Sequence, residues 1–321
     1  MPEVSFASGP LLEPAPPRPL DLLGVGECSL DSVLRVAALP APGGKAVVED
    51  WCERPGGQVA TAVLTAARLE LRTAYAGVVG DDRAAEQALA PLRAAGVDLS
   101  RVQIVPGART RAAVIVVEQG SGERAVLGYR DPRLAEGSAA LAGLAPETAH
   151  LLLLDASDPA ASLALAQHAR EHGAAVILDL DTPSADAERL LAHADFPIVS
   201  QGFAERAYGT LSRALEQMAS LGARLPVVTL GARGSLALLS GRPLASPAPR
   251  VAVVDTTGAG DVFRGAFAWG LLQGLEAEAL LRVANGAAAL SCCGLGAQGA
   301  IPDASRLRAF LADPRRSYSS S

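Results

Sequence analysis

Residues 254–263 read VDTTGAGDVF, two threonines, two aspartates and two glycines between apolar flanks. The apolar run before it, RVAVVD (250–255), reads as a strand. From Val262 the pattern is helical for about four turns, giving an expected helix over 258–274. Gly258, Ala259 and Gly260 therefore fall at a helix N-terminus. There the backbone N–H groups lack intrahelical partners and the macrodipole is positive. Small residues let those N–H groups approach an anion closely. Asp261 sits in the first turn. One account makes it a favourable first-turn acid. The other makes the stretch a phosphate cradle with a base beside it. Such an aspartate does not strip an alcohol in the ground state, but it can accept the proton as a phosphoryl group transfers through a loose transition state. Helix-start chemistry leaves both accounts open.

Working outward, strand-like runs alternate with helical patterns, which predicts a parallel sheet covered on both faces. Strands are expected at 21–27, 72–80, 150–156, 174–180, 196–200, 226–231 and 234–240. Helices are expected at 58–69, 82–96, 159–172, 184–193 and 276–292. Two regions break the rhythm. Residues 32–52 hold two β-like pieces joined by a Pro/Gly turn. Residues 111–130 read as a hairpin with QGSG (119–122) as its turn. Together they predict a small separate sheet placed as a lid, the alternative being an edge extension of the main sheet.

The 321-residue chain is 50% hydrophobic, enough for one large α/β domain, expected over 21–312. The proline-rich first twenty residues and residues 313–321 read as disordered tails. A net charge of −6 gives no footprint for nucleic acid. No apolar run is long enough to span a membrane. Four cysteines without a C-x-x-C pattern fit a reducing compartment, and the cytoplasm is the expected location. The vicinal Cys292–Cys293 pair reads as buried helix.

Other phosphate motifs are missing. The one lysine, Lys45, is preceded by Gly44 but followed by Ala46, so there is no P-loop. No H-R-D loop accompanies a strand lysine, which excludes a protein-kinase site. Gly294, Gly296 and Gly299 spell G-x-G-x-x-G, but after a helix, so the run is a loop and no dinucleotide turn. His168 and His172 are spaced i, i+4 without an apparent third ligand and read as a solvated face.

The stretch DTTGAGDVFRGAF closely resembles the C-terminal signature of the ribokinase-like (PfkB) carbohydrate kinases. The resemblance runs through about residues 21–312. Thr229, Gly231 and Gly234 match the T-x-G-x-x-G nucleotide turn. Asn285 lies in a stretch like the helix bordering the adenine. Gly26 through Asp31 resembles the first strand and its sugar-binding aspartate, and PGGQVAT (55–61) the glycine-pair motif that meets the sugar. The resemblance implies a ribokinase-like α/β fold and ATP-dependent phosphorylation of an alcohol on a sugar or sugar-like molecule, with Mg²⁺ accompanying ATP. It implies Asp261 as base and Gly258, Ala259 and Gly260 as anion hole. Asp31, Ser29, Gly57, Gln58 and Thr61 would meet the sugar. Thr229, Gly231, Gly234, Asn285 and Arg124 would meet the nucleotide. Asp255 and Thr257 would offer oxygens to a monovalent cation, K⁺ in some members. The inserted strands would form the family's lid and a homodimer contact.

Three departures bear on the substrate. Ser29 stands where many members carry Asn, and Gln58 and Thr61 where the glycine-pair motif carries Asn. Ser200 and Phe203 stand at the N-x-x-E positions that help organise Mg²⁺, with Glu205 nearby. The ketohexokinase-like branch also lacks N-x-x-E, and Arg124 resembles a phosphate-reaching arginine of that branch, so the chain leans that way; from the hairpin alone Arg124 reads as a solvent-facing charge. The alternatives are a nucleoside (adenosine-like) kinase, which an aromatic stacking pair near the lid would favour, and a degenerate member that binds sugar or nucleotide without transfer.

Overall fold

Runs such as LLLL (151–154) and AVIL (175–178) are apolar at consecutive positions because both faces of their sheet are covered. The computed structural model describes residues 11–313, except Pro14 and residues 121–123. The chain begins with β1 (Leu20–Val25), then β2 (Ser29–Val36), β3 (Val48–Gly56) and α1 (Gln58–Arg68). After β4 (Thr73–Ala76) come β5 (Val78–Gly80), α2 (Arg83–Ala94), β6 (Gln103–Val105), β7 (Ala112–Glu118), β8 (Arg124–Tyr129) and α3 (Ser138–Ala142). The α/β rhythm resumes with β9 (Ala149–Asp155), α4 (Pro159–Glu171), β10 (Ala175–Leu180), α5 (Ala185–Leu191), β11 (Phe196–Ser200), α6 (Gln201–Tyr208), α7 (Leu211–Ser220) and β12 (Val227–Thr229). A hairpin of β13 (Ser235–Leu239) and β14 (Arg242–Ser246) precedes α8 (Ala259–Leu272), α9 (Ala277–Ser291) and α10 (Ala304–Ala312).

The main sheet runs β14-β13-β12-β11-β10-β9-β1-β4, parallel except for the terminal hairpin. Alternate residues sort to two cores. Leu22, Leu151, Leu153, Ile177 and Ile198 pack under α1, α2, α8 and α9. Leu23, Leu152, Leu154, Val176 and Val199 pack under α4 to α7. From β1 the chain goes one way to β4, whereas from β9 it steps the other way to β12. The order therefore reverses between β1 and β9, and a crevice opens at the carboxyl ends of the strands there.

The inserted strands form a separate sheet in the order β3-β2-β7-β8, with β2 and β7 parallel. One face buries Val33, Ile115 and Val117 with Leu295 from the loop after α9. The other exposes Trp51, Val114 and Leu127. Of the expected QGSG turn, Ser121 and Gly122 lie outside the described residues.

Several expectations are corrected. Residues 250–255 are not a strand: the amides of Val254 and Asp255 both donate to the Cys292 carbonyl at the end of α9 (2.8 and 3.2 Å). A strand needs a ladder partner, and this segment hangs from a helix end instead. The last strand is β14, reached through Ser240 and Gly241, both at positive φ, as a tight hairpin turn requires. The strand expected over 72–80 splits at Gly77, where β5 leaves the main sheet to pair with β6. A further helix, α10, follows α9.

The first-twenty tail is docked where it is described. Leu11 and Leu12 pack on the core, and Arg18 donates to the carbonyls of Ala149 (2.7 Å) and His172 (2.9 Å). Proline-rich composition hides these anchors. Residues 1–10 and 314–321 lie outside the described residues. Among the described residues no helix is long and apolar enough to cross a membrane.

Candidate active site

The crevice gathers the ends of strands and helices that are far apart in the chain. Helix α8 starts at Gly258, which is left-handed (φ 76°) and, among the described residues, has no side-chain cap. A Cβ there would lie 2.7 Å from the Ala297 backbone, so only glycine fits the turn. The Ala259 amide donates to the Thr256 carbonyl at 3.3 Å, whereas among the described residues the amides of Gly258, Gly260 and Asp261 have no backbone partner and stay open to an anion. Asp255 holds the turn from beneath. Its Oδ1 accepts from the Thr257 amide (2.9 Å) and hydroxyl (2.7 Å), and its Oδ2 from the Gly296 amide (2.8 Å). The lid reaches the same turn, since Arg124 at the start of β8 donates to the Thr256 hydroxyl at 2.7 Å.

Asp261 lies in the first turn of α8, and its side chain is 14% exposed. Burial pushes its carboxyl up to about 8. Arg264 opposes that rise, while Asp181, Glu27 and Asp155 add to it. Those acids stand at the carboxyl ends of three strands: Glu27 after β1, Asp155 closing β9 and Asp181 after β10. Burial also pushes Glu27 up to about 7, against an ion pair with Arg111 at 2.9 Å. Asp155 is fully buried and accepts from the amides of Glu27 (2.8 Å) and Ser157 (2.9 Å).

The wall expected to meet the sugar surrounds the start of α1. Gly57 caps that helix at φ 93°. Asp31 is raised by burial, opposed by the Ser29 hydroxyl and the Ala113 amide. Gln58 donates to Asp181 at 2.8 Å, and Gln298 donates to the Thr61 hydroxyl at 3.2 Å. Among the described residues, Asp31 Oδ1 and Gln298 Oε1 are buried acceptors with no donor. Polar atoms buried without partners are uncommon, and here both flank one helix start.

On the far side, Gly231 and Gly234 take positive φ in the turn after β12, with the Thr229 hydroxyl 3.4 Å from the Val199 carbonyl. Asn285 does not open toward a ligand through its amide nitrogen. It is 4% exposed and donates to the Ser235 hydroxyl and to the carbonyl and hydroxyl of Ser246, at 3.0 to 3.1 Å. It ties α9 to the edge hairpin beneath the nucleotide turn. Ser200 caps α6, accepting from the Phe203 amide at 3.1 Å, and Phe203 is buried. Glu205 accepts from Gln201 along α6 at 2.7 Å. His168 and His172 stack on each other, with His168 3.0 Å from Glu147. No group of three or more His, Cys, Asp or Glu able to hold a metal occurs among the described residues.

Residues 20–304 match the sequence profile of the pfkB family carbohydrate kinase. The chain belongs to this family. The kinase is 29% identical over 288 residues to a ribokinase of Bacillus subtilis, covering 89% of this chain and 98% of that one. It is 30% identical over 293 residues to an ATP-dependent ribose-1-phosphate kinase of Halopiger xanaduensis, covering 91% and 98%. A structure of Arabidopsis thaliana ribokinase complexed with ribose and ATP superposes with a TM-score of 0.76 at 24% identity, covering 92% and 99%, which speaks to the fold.

Sequence reasoning passed over Arg264, Asp179, Asp181, Asp155 and Glu27 as site residues. Their signal was present: a lone arginine in the apolar run VFRGAF, and acids where strands end. Gly258→Ala should shift the turn against Ala297 and cut phosphoryl transfer by on the order of 10²–10³-fold. A coupled ADP-release assay reads this, and an unchanged rate would remove the turn from the reaction.

Proposed function

We propose that this pfkB kinase transfers the γ-phosphoryl group of ATP to a hydroxyl of a sugar or sugar-like molecule, with Asp261 as the base. The observation that carries the reading is the pairing of an open α8 N-terminus with a buried aspartate one turn in, opposite a wall of unpaired acceptors. The Gly258–Gly260 amides would hold charge on the transferring group, where a rigid set of donors needs no reorganisation. Asp31 Oδ1 and Gln298 Oε1 would accept from substrate hydroxyls, which supply the donors those atoms lack. Arg124, already on the Thr256 hydroxyl, would close over the phosphates. Arg124 and the absent N-x-x-E would support a lean toward the ketohexokinase-like branch.

ATP supplies the phosphoryl group, and Mg²⁺ would accompany it, because the triphosphate charge needs neutralising whichever side chains help. Asp255 and Thr257, bonded to each other under the anion hole, are the oxygens a K⁺ ion would sit against. Thr229, Gly231 and Gly234 would line the nucleotide turn. The adenosine-like alternative would need an aromatic stacking pair near the lid, where Trp51 and Tyr129 are exposed. The intact Asp261 and Gly-Ala-Gly run argue against a non-catalytic member. The apolar outer face of the lid supports a homodimer, and four free cysteines fit a reducing cytoplasm.

An ADP-release screen over ketoses, aldoses, sugar acids and nucleosides, with and without K⁺, tests the reading; silence across the panel would overturn it. Asp261→Asn should lose nearly all transfer while keeping ATP binding. Because the base acts only when deprotonated, kcat/KM should climb as pH rises through about 8. Asp31→Ala should weaken sugar binding far more than ATP binding in calorimetric titration; equal losses would count against its assignment. Trp51→Glu on the exposed lid face should yield monomers in analytical ultracentrifugation.

A further inference from the structure

Arg264 lies one turn beyond Asp261 on α8 and is 2% exposed, so it does not meet substrate. A buried guanidinium must be paid for by partners. Its Nη2 lies 2.5 Å from Asp179 Oδ1 on β10 and 3.5 Å from Asp181 Oδ1, and it donates to the Ile198 carbonyl of β11 at 3.1 Å. Its Nη1 faces Asp261 Oδ1 at 3.9 Å. It also runs beneath Gly260, where a Cβ would lie 2.7 Å from Nη1. One side chain thus grips two central strands at one end and supports the anion-hole turn and the aspartate at the other.

We infer that Arg264 is a positioning residue: it holds Asp261 aimed into the crevice and favours its charged form by presenting a buried positive charge locked to β10 and β11. The inference rests on the reading of Asp261 as the base. The charged groups that face Asp261 come from four elements. Glu27 follows β1, Asp155 ends β9, Asp179 and Asp181 come from β10 and just beyond, and Arg264 is on α8 itself. Every one of these except Arg264 is an acid. Burial and the acids favour the protonated form of Asp261, so the cation is what opposes them. Arg264 keeps its charge because Asp179, Asp181 and Asp261 outweigh the cost of its own burial. The arrangement also accounts for glycine at position 260, since any larger residue would push the guanidinium away from the aspartate.

The test compares pH profiles of kcat/KM for the full chain, Arg264→Lys, Asp179→Leu and Arg264→Met/Asp179→Leu. The double variant removes the buried pair together, because Arg264→Met alone strands the Asp179 charge and can fail to fold. Circular dichroism and thermal melting confirm folding first. Asp179→Leu alone is the baseline, because losing that acid by itself eases ionisation of Asp261. Relative to it, the acidic limb of the double variant should move up by ~1 pH unit or more, since a cation this close shifts a carboxyl by about that much. At pH 7 that is a roughly tenfold or greater loss in kcat/KM, with ATP binding little changed in calorimetry. Arg264→Lys keeps a cation on the same helix face and should move the limb less. A folded double variant whose limb stays at that of Asp179→Leu or is absent, or a larger shift with lysine, overturns the inference. Asp261→Asn separates the two claims. If it retains turnover, the base reading fails; if it is dead while the limb of the double variant does not move, only the role of Arg264 fails.

Discussion

Between β1 and β9 the sheet changes direction, and everything the site needs follows from that reversal. Strands on either side send their connections apart, so their carboxyl ends are left uncovered over the gap. Residues that close those strands, Glu27, Asp155 and Asp181, cannot then be buried by the next helix and are left facing one another. The chain fills the gap from the α1/α8 side. Both helices begin there, α1 at Gly57 and α8 at Gly258, each with its first glycine at positive φ. Two helix starts and three strand ends thus meet in one crevice, which concentrates open N–H groups and carboxylates in the same place.

That concentration is electrostatically costly, and the cost explains much of the local detail. Burial raises Asp31, and burial together with repulsion from neighbouring acids raises Glu27, Asp179 and Asp261. Arg111 answers Glu27 and Asp31, and Arg264 answers Asp179 and Asp261. A site in this state suits a reaction in which a proton must be taken up while charge moves onto phosphate oxygens. The lid completes it from above. Its inner face packs on Leu295, in the loop that also carries Ala297 against Gly258, so lid and anion hole share one support.

Much of this was legible in the sequence. The GAGD turn, the α/β rhythm and the four inserted strands were readable because backbone preferences and two-faced burial act locally. The misreadings have a common origin. Residues 250–255 have strand composition, yet the amides of Val254 and Asp255 go to the Cys292 carbonyl and the segment joins no ladder, because β13 and β14 have already ended the sheet. Asn285 was expected from the resemblance to lie beside the nucleotide; what the sequence did not show is that its amide nitrogen donates to Ser235 and Ser246. Arg124 looked like a free hairpin charge, yet it reaches Thr256 across 132 residues of chain.

The sequence by itself determined the helix that starts at the Gly-Ala-Gly turn, the family and the identity of the candidate base, because these depend on residues adjacent in the chain. Only the tertiary structure decided what surrounds that base. The acids at three strand ends, the arginine locked to β10 and β11, and the orphaned acceptors beside α1 meet through sheet order and helix packing. Electrostatic environment depends on distance in space, and spacing along the chain does not encode it.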